Sequence, residues 1–135
     1  MNIPKIGKKP TGYVKPGRIL IVDDDPDFRE LLTLMLRNEG FETAIAEDGY
    51  DFLSKIDAFQ PDLVTLDVMM PGLTTREILD KLKEKKTKPK IILLTVVRYS
   101  EEEKQKLVQM GIVDYVTKPF ELDDLTYRIH KHLGK

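Results

Sequence analysis

Ile19-Leu20-Ile21-Val22 runs straight into Asp23-Asp24-Asp25, and the same form recurs three times further along the chain. Leu63-Val64-Thr65-Leu66 ends on Asp67, Ile91-Ile92-Leu93-Leu94 ends on Thr95, and Asp114-Tyr115-Val116-Thr117 ends on Lys118-Pro119. The first run is too short and too continuous for an amphipathic helix and suits a strand covered on both faces. In an open parallel sheet the carboxyl ends of the strands lie together, and ligands bind in the crevice outside them. Residues spread from Asp23 to Lys118 then meet at one point. An acidic cluster, a lone carboxylate, a hydroxyl and an ammonium are the groups needed to move a phosphoryl group onto an aspartate.

Outward from these strands, helical spacing fills the gaps. From Asp27, the residues Phe28, Leu31, Leu32, Met35 and Leu36 recur at helical intervals, with Gly40 as a stop. Residues 41–46 suit a second strand, and Phe52, Leu53 and Ile56 mark a second helix over residues 50–59. After Pro71-Gly72 a third helix passes through Ile78, Leu79 and Leu82 and closes in a lysine-rich end over residues 81–88, where cations suit the helix dipole. Ser100 with Glu103 has the form of a capping box, and Gly111 is placed to close that fourth helix. A last strand near residues 114–116 precedes a helix whose buried stripe is Leu122, Leu125, Ile129 and Leu133. Five strand–helix pairs joined by short connections imply right-handed crossovers and a parallel sheet covered on both faces.

Composition bounds the partners. The chain has 135 residues, 41% hydrophobic and 33% charged, with a net charge of −1. One domain of that size buries about two-thirds of its unfolded surface. Near-neutrality gives no electrostatic reason to expect nucleic acid or an anionic membrane. No apolar run has the length of a membrane span, and without cysteine there are no disulfides or thiolate metal sites. A cytoplasmic location is the default expectation. Residues 1–17 carry three prolines, three glycines and Lys5, Lys8, Lys9 and Lys15 but no acid, which reads as an extended basic arm. The folded unit is expected over residues 18–135.

Four stretches in order carry a family resemblance: Ile21-Val22-Asp23-Asp24-Asp25-Pro26, Leu66-Asp67-Val68-Met69-Met70-Pro71-Gly72, Leu94-Thr95, and Tyr115-Val116-Thr117-Lys118-Pro119-Phe120. They resemble the receiver domain of bacterial and archaeal response regulators, over about residues 18–133. The resemblance implies an α/β, flavodoxin-like, doubly wound five-stranded parallel sheet of order 2-1-3-4-5 with five helices. It implies that Asp67 is the phosphoacceptor, that Asp24 binds Mg²⁺ directly, and that Asp23 supports the ion mainly through water. The Met69 carbonyl would be a further metal ligand. Thr95 would bond the phosphoryl oxygens, Lys118 would pair with them, Tyr115 would be the aromatic switch, and Pro119 would follow a cis peptide.

The chemistry is coherent with those roles. Carboxylates about 4–5 Å apart repel by roughly 3–4 kcal/mol per pair at an effective dielectric near 20, so the site needs cations. Mg²⁺, a hard ion that prefers oxygen ligands, is one, and Lys118 is another. Expected donors are a histidine kinase, a phosphotransfer protein or acetyl phosphate, and the only catalysis expected is of the protein's own phosphorylation and dephosphorylation. The output is expected to be a protein target met through the fourth helix, last strand and last helix, including Arg98, Tyr99, Lys104, Lys106, Tyr115 and Arg128. No direct contact with nucleic acid or membrane is expected, and a stand-alone regulator is favoured over a fragment of a longer one.

Other readings exist for the parts. Asp23, Asp24 and Asp25 also suit capping of the first helix, and Asp25 reads as a cap, not a ligand. A strand-ending threonine or a Lys-Pro pair is commonly structural, and His130 and His132 read as surface residues. A phosphatase using Asp67 as nucleophile would want a second acid at position 69, where Met69 stands. A receiver-like scaffold that binds partners without phosphorylation is the remaining alternative. Five positions depart from the usual receiver pattern: Thr74-Thr75 at the start of the third helix, bulky Val96 after Thr95, and apolar Met69 and Val97 where hydrolysis is tuned. Val113 stands where dimerising regulators commonly carry an aspartate, so a monomer is expected before phosphorylation.

Overall fold

The computed structural model describes residues 15–134. Strands and helices alternate as β1 (Arg18–Val22), α1 (Pro26–Asn38), β2 (Glu42–Ala46), α2 (Gly49–Phe59), β3 (Leu63–Asp67), α3 (Thr75–Leu82), β4 (Lys90–Thr95), α4 (Glu101–Val108), β5 (Ile112–Thr117) and α5 (Leu122–Leu133). All neighbouring strands pair in parallel, in the order β2-β1-β3-β4-β5. This is the doubly wound sheet that the resemblance implied.

Successive side chains on a strand point to opposite faces, so a strand covered on both sides must be apolar throughout. Leu20, Val22, Val64, Leu66, Ile91 and Leu93 enter one core, with Phe52 and Ile56 of α2 and Ile78, Leu79 and Leu82 of α3. The alternate residues Ile19, Ile21, Leu63, Ile92 and Leu94 enter a second core with Leu32 and Leu36 of α1 and Leu125 and Ile129 of α5. That is why the runs looked continuous in sequence. α4 is the exception among the helices, for none of its side chains is fully buried.

Local chemistry sets the helix starts. The Asp25 carboxylate accepts from the Asp27 amide at 2.9 Å, and Pro26 takes the first helical position, so Asp25 is a cap as expected. Ser100 and Glu103 form the expected reciprocal capping box on α4. Thr74 and Glu77 form a second such box on α3, so the unusual Thr74-Thr75 pair starts that helix with a full set of cap bonds.

Some boundaries differ from the sequence reading. α3 ends at Leu82, at the start of the lysine-rich stretch and not at its end, because none of residues 83–88 is apolar and able to reach the core. Lys88 still serves that helix end, its ammonium donating to the Leu82 and Lys83 carbonyls at 2.7 and 2.9 Å. β5 is longer than residues 114–116, and its pairing shifts register between Ile91 and Ile92. Gly17 is buried, its carbonyl accepting from the Glu42 amide at 2.9 Å. A β-carbon there would lie 3.1 Å from both Phe41 and Leu133. Residues 1–14 of the basic arm lie outside the described residues. His130 and His132 are half-buried and not simply superficial, their Nε2 atoms 2.7 Å from Glu39 Oε1 and 2.8 Å from Asp114 Oδ2.

Candidate functional site

Backbone pairing brings the polar strand ends together. The Asp23 amide donates to Ala46, the Val68 amide to Leu94, and the Lys118 amide to Thr95 at 2.9 Å. Asp23 follows β1, Asp67 ends β3, Thr95 ends β4 and Lys118 follows β5, all at one edge of the sheet. An open cleft of about 670 Å³ lies there, lined by Asp23, Asp24, Asp67, Met69, Val96 and Lys118 among others.

Carboxylate oxygens of Asp23, Asp24 and Asp67 lie within 4.8 Å of one another. Asp23 and Asp67 are buried while Asp24 is exposed. The Lys118 ammonium reaches Asp67 Oδ1 at 3.0 Å, and the Met69 amide donates to the same oxygen at 3.0 Å. Burial above all pushes the Asp23 carboxyl up to about 6. The charges of Asp67 and Asp24 add to this, while the Asp25 amide and Lys118 oppose it. The site is thus short of positive charge. Three oxygen donors with that deficit suit a hard divalent cation.

Five of the residues singled out in sequence, Asp23, Asp24, Asp67, Met69 and Lys118, meet at the cleft. Thr95 is fully buried at the end of β4, its hydroxyl accepting from the Val97 amide at 2.8 Å. Tyr115 lies further off, against the Tyr99 ring at 5.5 Å, with its hydroxyl 3.4 Å from the Lys104 carbonyl. Burial foremost pushes the pKa of that phenol up, so its ionisation is disfavoured. The Lys118-Pro119 peptide is cis.

No sequence pattern pointed to Arg29, whose guanidinium donates to the Asp23 carbonyl at 2.7 Å and ties α1 to the acidic loop. Nor did one point to the edge-on pair of Phe28 and Phe120, 6.1 Å apart, which walls the cleft. The ring pair joins residues far apart in sequence, whereas the Arg29 bond is local but follows no residue pattern.

Residues 19–130 match the response regulator receiver domain family. The chain belongs to that family. The receiver is 40% identical over 118 residues to the DNA-binding response regulator MtrA of Mycolicibacterium smegmatis, covering 87% of this chain and 51% of that protein. It spans about half the length of the curated relatives it matches. Among solved structures it is similar to a CheY-like receiver domain protein of Methanospirillum hungatei, with 30% identity, a TM-score of 0.77, and 89% and 95% of the two chains covered. TrrA of Thermotoga maritima, crystallised in complex with Mg²⁺ and BeF, is 39% identical with a TM-score of 0.68, covering 85% and 97%. Against that family background Val96 stands out, 54% exposed and part of the cleft wall. Among the described residues no helix is long and apolar enough to cross a membrane.

Proposed function

We propose that Asp67 is the phosphoacceptor of this receiver and that Mg²⁺ is held by Asp24 and Asp67, with the Met69 carbonyl as a further ligand and Asp23 supporting it. The observation that carries this reading is the convergence of three carboxylates within 4.8 Å with Lys118 at 3.0 Å from Asp67. An Asp67 oxygen forms the new P–O bond as the donor's bond to phosphorus breaks, giving an acyl phosphate. Lys118 and the Thr95 hydroxyl then face the phosphoryl oxygens, where charge gathers in a loose transition state. The Thr95 hydroxyl accepts from the Val97 amide, which leaves its proton to donate to a phosphoryl oxygen. The ion, when bound, supplies charge neutralisation of those same oxygens.

The phosphoryl donor is a histidine kinase or a phosphotransfer protein, and the receiver acts on no substrate besides itself. A modified Asp67 carries a dianion strong enough to bias two packings a few kcal/mol apart. The output runs through Thr95 and Tyr115 to the face of α4, β5 and α5. The folded unit is residues 18–135 with a basic arm before it, and the setting is the cytoplasm. Relatives named as DNA-binding lend no support to an output free of nucleic acid, and the receiver is read as one part of such a pathway. Incubation with acetyl phosphate adds the mass of one phosphoryl group when Mg²⁺ is present and none in chelator. Equal labelling in both would end the metal-dependent reading.

Met69 and Val97 are 61% and 41% exposed and apolar, so neither orients an attacking water. The acyl phosphate is therefore long-lived. Met69→Asn with Val97→Glu shortens its lifetime by about tenfold, since a positioned polar group speeds proton transfer from water. An unchanged decay rate in that double variant would remove these positions from the account.

The unphosphorylated receiver is a monomer. Asp114 is already engaged within the chain, by Arg128 at 2.7 Å and His132 at 2.8 Å, leaving less of it for an inter-subunit pair. Light scattering gives one chain's mass without beryllofluoride. A dimer under those conditions would refute the assignment.

A further inference from the structure

We propose that the groove between α3 and α4 is a docking site for an acidic, leucine-bearing peptide segment of a partner protein. It shares Tyr99 and Lys106 with the output face described above, while Thr74, Thr75, Arg76, Leu79 and Lys83 extend it onto α3, which that face does not include.

A cavity of about 760 Å³ runs between the two helices, with Val68, Met70, Leu79, Leu107 and Met110 among its lining residues. Val68, Met70, Leu107 and Met110 are partly buried side chains at the margin of the larger core. A second depression of about 350 Å³ continues it past Pro89 and Gly111, sharing Leu79, Lys83, Gln109 and Met110. An elongated trough with an apolar floor fits an extended or helical peptide better than a compact metabolite, because alternate anchors need successive pockets. The floor is available because α4 buries none of its residues completely and leaves that margin uncovered.

Charge complementarity sets the sign of the occupant. Arg76, Lys83 and Lys106 line the groove, with Glu103 as the acid among them. The Glu103 carboxylate is turned to the Ser100 amide at 3.1 Å, where it completes the helix cap. Lys83 and Lys106 have only loose, exposed partners on their own helices, Asp80 at 3.5 Å and Glu102 at 3.9 Å. Exposed pairs of that kind contribute little, so a partner carboxylate displaces them at small cost. Cations around an apolar floor select acids flanking apolar anchors and disfavour basic segments.

The test uses the whole chain and a labelled peptide alternating leucine with glutamate, followed by fluorescence anisotropy and amide shifts in nuclear magnetic resonance. The peptide binds and moves the amides of Met70, Leu79 and Met110. Arg76→Glu with Lys106→Glu weakens it by about tenfold, since each reversal replaces an attraction by a repulsion. Arg76→Glu alone, on α3, weakens it in the same direction should the double variant loosen α4. Peptides with lysine for glutamate or serine for leucine bind far less. No binding, equal binding of either control peptide, indifference to Arg76→Glu, or shifts confined to Val108 and Tyr127 would each overturn the proposal.

Discussion

Asp67→Asn abolishes labelling by acetyl phosphate while the protein stays folded. The side chain is buried at the end of β3, and asparagine keeps its volume but lacks the nucleophilic oxygen pair. Only one ion pair is lost in the fold, that with Lys118 at 3.0 Å. Against this, one of three crowded carboxylates disappears, so the metal-free variant is expected to unfold no sooner than wild type. Intact-mass spectrometry reads the first effect and thermal unfolding in chelator reads the second. Residual labelling of the variant at the wild-type level would move the acceptor elsewhere and remove the proposed function of the cleft.

In chelator, stability falls as pH rises from about 4 to about 6 through the contribution of Asp23, and that contribution is flat above. Its carboxyl stands at about 6 in the fold, raised chiefly by burial, against 3.8 in an unfolded chain. Between those values the folded protein holds the extra proton, so lowering pH favours it. The full difference amounts to about 3 kcal/mol, taken as an upper bound. Other carboxylates titrate in the opposite sense, Asp51 among them, its carboxyl held low mainly by Lys55 against a burial effect that raises it. The quantity to measure is therefore the difference in urea stability between wild type and Asp23→Asn across that range. The difference shrinks when Mg²⁺ is added, because a cation favours the charged form. A difference independent of pH in chelator would contradict the burial of Asp23.

The sheet was legible because its three central strands, β1, β3 and β4, are buried on both faces and its site residues sit where the strand runs stop. Asp23, Asp67, Thr95 and Lys118 could be placed from that rule alone, with the strand order supplied by family resemblance. The caps at Asp25 and Ser100 were legible from residue type and spacing. Less visible was where burial ends. Residues 83–86 are good helix formers, yet the helix stops at Leu82, since tertiary contact and not propensity holds so short a helix. Thr74 looked like a departure from pattern and proved a cap. Gly17 and the Phe28–Phe120 wall depend on contacts between distant segments, which no local pattern encodes.

The sheet divides the interior into two apolar compartments, and α4 is moored to only one of them by half-covered side chains. Shifting it forfeits little hydrophobic burial, on the order of 1 kcal/mol for a residue such as Leu107. The α1–α5 compartment meanwhile keeps its packing as ballast. A modest stimulus at the strand tips can thus reshape one flank of the molecule while the opposite flank stays rigid, an asymmetry inherited from where the chain places its leucines.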